Sequence, residues 1–87
     1  MIKVGIVEDN KTVREGFETL LNRTVGFQCV CTCGTVAEAL KKIPKAQPDV
    51  VLMDIQLPDS TGVECTAKLK EQMPGLHIVI VTVYEDS

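Results

Sequence analysis

The 87 residues suffice for one small domain and no more. With 45% hydrophobic and 24% charged residues the composition is globular, and a net charge of −3 with no run or stripe of Lys and Arg argues against a surface that grips nucleic acid. No stretch approaches the ~20 apolar residues of a membrane span, and Met1-Ile2-Lys3 leads straight into a strand pattern, so neither a membrane partner nor a signal peptide is expected and the expected location is cytoplasmic.

Ile2 to Val7, IKVGIV, is nearly apolar throughout and reads as a first strand. It runs into Glu8-Asp9-Asn10. Asn10 can cap a helix reaching about Asn22, with Val13, Phe17, Leu20 and Leu21 at i, i+4, i+7 and i+8 on one face. Gly26 lies in the turn that follows. Phe27 to Cys33 reads as a second strand. Its partial alternation, with Gln28 and Thr32 on one face and Cys29, Cys31 and Cys33 on the other, suggests an edge position. Thr35-Val36-Ala37-Glu38 is a capping-box pattern. It opens a second helix with Val36, Ala39, Leu40 and Ile43 inward, stopped at Pro44.

The segment Pro48 to Gly62, PDVVLMDIQLPDSTG, organises the rest. Val50 to Met53 form an unbroken apolar run ending in Asp54, bounded by prolines, and read as a strand buried on both faces of a parallel sheet. Thr61 or Ser60 caps a third helix to about Met73, with Val63, Thr66, Ala67 and Leu69 inward, and Pro74-Gly75 breaks it. His77 to Val83, HIVIVTV, is a fourth strand. The order βαβαβαβ implies parallel pairing through right-handed crossovers, and so an α/β doubly wound sheet. Strand four is strongly apolar, and Glu85-Asp86-Ser87 looks like the opening of a further helix. The expectation is that residues 1–87 are the front part of a longer domain, or that a second copy completes the sheet by pairing along strand four or by exchanging elements.

The four cysteines read as small buried hydrophobes. A thiolate metal site would show C-x-x-C pairs, and the sequence has none. Without a signal peptide, reduced thiols are the default.

The carboxylates carry the chemistry. In this layout Glu8, Asp9, Asp54, Asp59, Glu85 and Asp86 fall at or just beyond the carboxyl ends of strands, where open α/β sheets place their sites. Like charges this close repel, and a cation is the ordinary remedy. Mg²⁺ takes oxygen ligands, often one or two carboxylates. Asp9 and Asp54 could supply two, and the Gln56 backbone carbonyl a third. Thr82 places a hydroxyl at the end of strand four. A carboxylate nucleophile, a metal and a hydrogen-bond donor suit phosphoryl transfer. Each residue also has an ordinary reading. Asp54 could cap the following turn, Glu8-Asp9 could begin the first helix, Thr82 could be a plain β-branched strand residue, and Gly62 could merely let the loop meet the helix. The joint placement at three strand ends favours the chemical reading.

Glu8-Asp9 after strand one, Asp54-Ile55-Gln56-Leu57-Pro58 through Gly62, and Val81-Thr82 resemble the receiver domains of two-component response regulators, in order and over the whole chain. The resemblance implies a flavodoxin-like sheet of order 2-1-3-4, with a fifth strand beyond. It implies that Asp54 accepts a phosphoryl group from a sensor histidine kinase. Asp9 and, less directly, Glu8 would hold Mg²⁺ with Asp54 and the Gln56 carbonyl, and Thr82 would bond the phosphoryl group. It further implies an output domain outside this chain, with DNA binding and transcription as its expected role. The family's lysine after strand five and its aromatic on strand five have no counterpart in the sequence, and Lys11 is wrongly placed to substitute. A lost charge-assisted contact of about 1.5–3 kcal/mol predicts that the 87 residues alone are phosphorylated poorly. Two other readings stand beside this one. A receiver that no longer signals would serve as a structural or dimerisation module. A Mg²⁺ phosphohydrolase would commonly want a second acid two residues past its nucleophile, where Gln56 cannot titrate.

Overall fold

The computed structural model describes residues 1–82. Val83, Glu85 and Asp86, which the sequence assigns to strand four and to the acidic edge, lie outside the described residues. The elements run β1 (Ile2–Val7), α1 (Lys11–Arg23), β2 (Phe27–Cys33), α2 (Val36–Ala46), β3 (Val50–Asp54), α3 (Gly62–Gln72) and β4 (His77–Val81). Among the described residues all three strand pairs are parallel, in the order β2-β1-β3-β4. This is the doubly wound, flavodoxin-like α/β arrangement that the βαβ periodicity demands.

Each helix starts where a side chain can satisfy orphan N–H groups. Asn10 accepts from the Val13 N–H at 3.1 Å, Thr35 from Glu38 at 3.0 Å and Thr61 from Glu64 at 3.1 Å. The choice between Ser60 and Thr61 thus falls to Thr61. The second helix does not stop at Pro44 but runs to Ala46. A proline this near the end removes only its own bond to the turn before, and Gln47, left-handed at φ 51°, closes the helix by donating its N–H to the Ile43 carbonyl at 3.0 Å.

The main core lies on one face of the sheet. Val7, Cys33, Val51 and Met53 meet Val36, Ala39 and Ile43 of α2 and Cys65 and Leu69 of α3. Val4 and Ile6 point to the other face, where α1 packs on β1 and β2. That cover is partial. Val50 and Leu52 on this face remain half-buried, so β3 is fully buried on one face rather than on both. Leu20, expected in the inward stripe of α1, is 63% exposed on its outer flank.

The third helix is rotated from its expected setting. Leu69 is buried and Thr66 half-buried as expected, but Val63 is 65% exposed and Ala67 is exposed, and Gly62 and Cys65 face inward in their place. The cause is Gly62. A Cβ there would collide with the Asp54 carbonyl oxygen, so the glycine seats the helix against the end of β3 and fixes which residues follow at i+3 and i+7.

β2 is an edge strand, as its alternation suggests, but its cysteines do not share one face. Val4 pairs with Cys29 and Gly5 with Cys31, so Val30 is an extra residue, a β-bulge. Cys31 and Cys33 pair with Gly5 and Val7 on the α2 side, whereas Cys29 pairs with Val4 on the α1 side.

Candidate acidic site at the carboxyl end of the sheet

Parallel register assembles the site. Val7 of β1 pairs with Met53 of β3, so the next residues, Glu8 and Asp54, emerge side by side. Asp9 follows at the mouth of the β1–α1 loop. Glu8, Asp9 and Asp54 each offer a carboxylate oxygen, all within 4.8 Å of one another. Glu8 is 4% exposed, and Asp9 is open to solvent. Glu8, read from the family resemblance as the less direct ligand, therefore lies in the cluster itself.

Three carboxyl groups this close cannot all ionise freely. Burial, first, pushes the Glu8 carboxyl up to about 7, and Asp54 and Asp9 push the same way. The Asn10 N–H, 3.1 Å from the Glu8 carboxylate, opposes the rise. The cluster presents hard oxygen donors on two adjacent strand ends, and one of its carboxyls is held back from ionising. This donor chemistry fits a divalent cation of the Mg²⁺ kind.

The other residues singled out in the sequence divide. The Gln56 N–H donates to Asp54 Oδ1 at 3.4 Å, at the long limit for a hydrogen bond, which makes turn capping a weak account of Asp54. Thr82 directly follows Val81, which pairs with Asp54, and is exposed at the same sheet edge. Lys11 forms an exposed ion pair with Glu15 at 3.9 Å. Asp59 leaves the acidic set. Its carboxylate accepts from the Val36 N–H at 2.9 Å and the Ala37 N–H at 3.0 Å, at the start of α2. These bonds hold its carboxyl below the usual carboxylate range.

The β3–α3 loop is pinned at several points. Leu57 is buried in the core, its N–H donates to the Ser60 carbonyl at 3.1 Å, and the Gly62 N–H donates to the Ile55 carbonyl at 2.8 Å. One site residue escaped the sequence. Arg14 reaches back from α1 to the Glu8 and Asp9 carbonyls. The available signal was a cation in the first turn of a helix, where the dipole disfavours it.

Comparison with known proteins agrees with this geometry. The sequence pattern described as the response regulator receiver domain matches residues 4–87. The chain is similar to DevR/DosR, a DNA-binding transcriptional activator of Mycobacterium tuberculosis, at 40% identity over 84 residues, which cover 97% of this chain and 39% of that protein. It is also similar to the response regulator GacA of Pseudomonas syringae, at 41% identity over 86 residues, covering 99% and 40%. It thus spans about two fifths of the length of these relatives. Among solved structures, a LuxR-family response regulator from Aurantimonas superposes with a TM-score of 0.87 at 30% identity, covering 95% of this chain and 59% of that one. With a match over nearly its whole length, and a sheet and acidic edge to correspond, the chain belongs to the response regulator receiver domain family.

Proposed function

We propose that this chain is a phosphoacceptor signalling module, in which Asp54 receives a phosphoryl group from the phosphohistidine of a sensor kinase. The observation that carries the reading is the convergence of the Glu8, Asp9 and Asp54 carboxylates at adjacent strand ends. Glu8, Asp9 and Asp54 are the side chains that would hold Mg²⁺, with the Gln56 carbonyl as a further oxygen. The bound ion would neutralise both these carboxylates and the arriving phosphoryl oxygens.

Asp54 then acts as the nucleophile. One carboxylate oxygen attacks phosphorus, the new O–P bond forms as the P–N bond to the donor imidazole breaks, and the imidazole nitrogen leaves with the electron pair and takes up a proton. The product is an acyl phosphate on Asp54. The Thr82 hydroxyl donates to a phosphoryl oxygen and biases the backbone after β4, which passes the change to an output surface. DevR/DosR and GacA are named as a DNA-binding activator and a response regulator, and a transcriptional output domain elsewhere in the parent protein fits that company. Among the described residues no helix is long and apolar enough to cross a membrane, and a cytoplasmic setting suits the kinase partner. Residues 1–87 on this reading are the N-terminal portion of a receiver domain.

Incubating a protein that carries this chain with Mg²⁺ and a small acyl-phosphate donor, then weighing it intact, tests the assignment. A phosphoryl-mass increment in wild type, absent in Asp54→Asn, is expected. No increment in wild type, or an undiminished one in the variant, overturns it.

A further inference from the structure

We propose that Arg14 is a positioning residue of the acidic cluster: its guanidinium holds the Glu8–Asp9 backbone so that their carboxylates converge with Asp54, and it thereby sets the cluster's affinity for a divalent cation. The proposal rests on the reading of that cluster as a Mg²⁺ site. Asn10 caps α1, and Arg14 lies four residues on, at the end of the first turn. Helical side chains lean toward the helix N-terminus, so a long side chain there runs back over the β1–α1 loop. Arg14 Nη1 donates to the Glu8 carbonyl at 2.8 Å and to the Asp9 carbonyl at 3.4 Å.

The surroundings are shaped to admit it. A Cβ on Gly34, just past β2, would lie 3.1 Å from Arg14 Nη1 and 3.6 Å from Glu38 Oε1. The bare glycine leaves a lane for the guanidinium between the end of β2 and the start of α2. A cation in the first turn opposes the helix dipole, and that turn of α1 holds no acid to compensate. The short charge-assisted bond to the Glu8 carbonyl offsets this, with a lesser share from the long contact to Asp9. The Glu8 N–H is held in turn by the Cys33 carbonyl at 2.9 Å. The loop is thus tied to β2 on one side and to α1 on the other. These Arg14 bonds go to carbonyls, so they claim no carboxylate oxygen that a cation would need.

Residues that orient metal ligands typically cost 10–100-fold in metal affinity when removed. Mg²⁺ titrated calorimetrically into the wild-type protein and into Arg14→Ala, Arg14→Lys and Gly34→Ala, with chelator-treated thermal unfolding alongside, reads the effect. Arg14→Ala is expected to bind Mg²⁺ roughly tenfold more weakly, at the lower end of that range. Arg14→Lys keeps part of the affinity, because an ammonium lacks the planar fork, and Gly34→Ala weakens binding in the same direction by displacing the guanidinium. A purely architectural role would lower the unfolding midpoint and leave the affinity of the folded protein unchanged. Wild-type affinity in Arg14→Ala overturns the proposal while the cluster reading survives. Should that variant fail to fold, wild-type affinity in both Arg14→Lys and Gly34→Ala overturns it. A wild type that takes no Mg²⁺ overturns the cluster reading and this proposal together.

Discussion

At Glu8 the chain buries a carboxyl between two others, and the consequence is a pH dependence of known sign. Its folded-state value, about 7, lies above the unfolded value of about 4.3. Between the two, the folded protein holds a proton that the unfolded chain has released. Stability from this group is therefore greatest below the unfolded value and falls as pH rises toward 7. Urea unfolding of the metal-free protein at about pH 5 and about pH 7 is expected to show this loss, and Glu8→Gln to abolish it; equal slopes in the two proteins would contradict the assignment. Gly62 is the second residue whose identity is dictated. Because a methyl group there meets the Asp54 carbonyl oxygen, Gly62→Ala must shift β3 or α3, and a destabilisation of about 3 kcal/mol is expected, the upper end for overpacking. Chemical denaturation measures it, and a loss well under 1 kcal/mol would show that the junction yields. The sequence announced Gly62 as a glycine near a helix start, but not what it touches, because close backbone approach leaves no mark in periodicity.

Among the elements, α2 shows how a loop and a helix are joined. Asp59, in the loop after β3, accepts from the first two N–H groups of α2, and Thr35 serves the Glu38 N–H from the other side. Asp59→Ala is expected to speed amide exchange of Val36 and Ala37 while leaving Cys65 and Leu69 in α3 protected. The same loosening should follow acidification through the depressed Asp59 value, since its contribution is present above the unfolded carboxylate range and lost below it. Unchanged exchange at Val36 would rule out the clamp. The strands, the helix caps and the convergence of Asp9 with Asp54 were legible in the sequence because each follows from local pattern plus parallel register. The helix rotation at Val63 and Ala67, the continuation of α2 past Pro44 and the diversion of Asp59 were not. The first is decided by the close approach of Gly62 to Asp54, the second by the left-handed Gln47 cap and the third by a bond from Asp59 across 23 residues to Val36, and on none of these does helical spacing speak.

For the molecule as a whole, the sheet is asymmetric. β2 carries one edge, and β4, among the described residues, pairs with β3 alone. Val79 and Ile80 on β4 are 48% and 43% exposed, on opposite faces. An apolar edge of this kind invites pairing, so the 87-residue chain is expected to self-associate along β4. Light scattering across a concentration series checks this, and Val79→Lys should shift the population toward monomer; a monomer at every concentration would count against it. The bulge at Val30 has its own consequence across the sheet. By turning the strand half a step it sorts the three thiols of β2, two under α2 and one beneath α1, with the backbone as a wall between them. A thiophilic ion seeking all three sulfurs of β2 meets that wall, and an oxidant that consumes the pair under α2 leaves the one beneath α1 where it was.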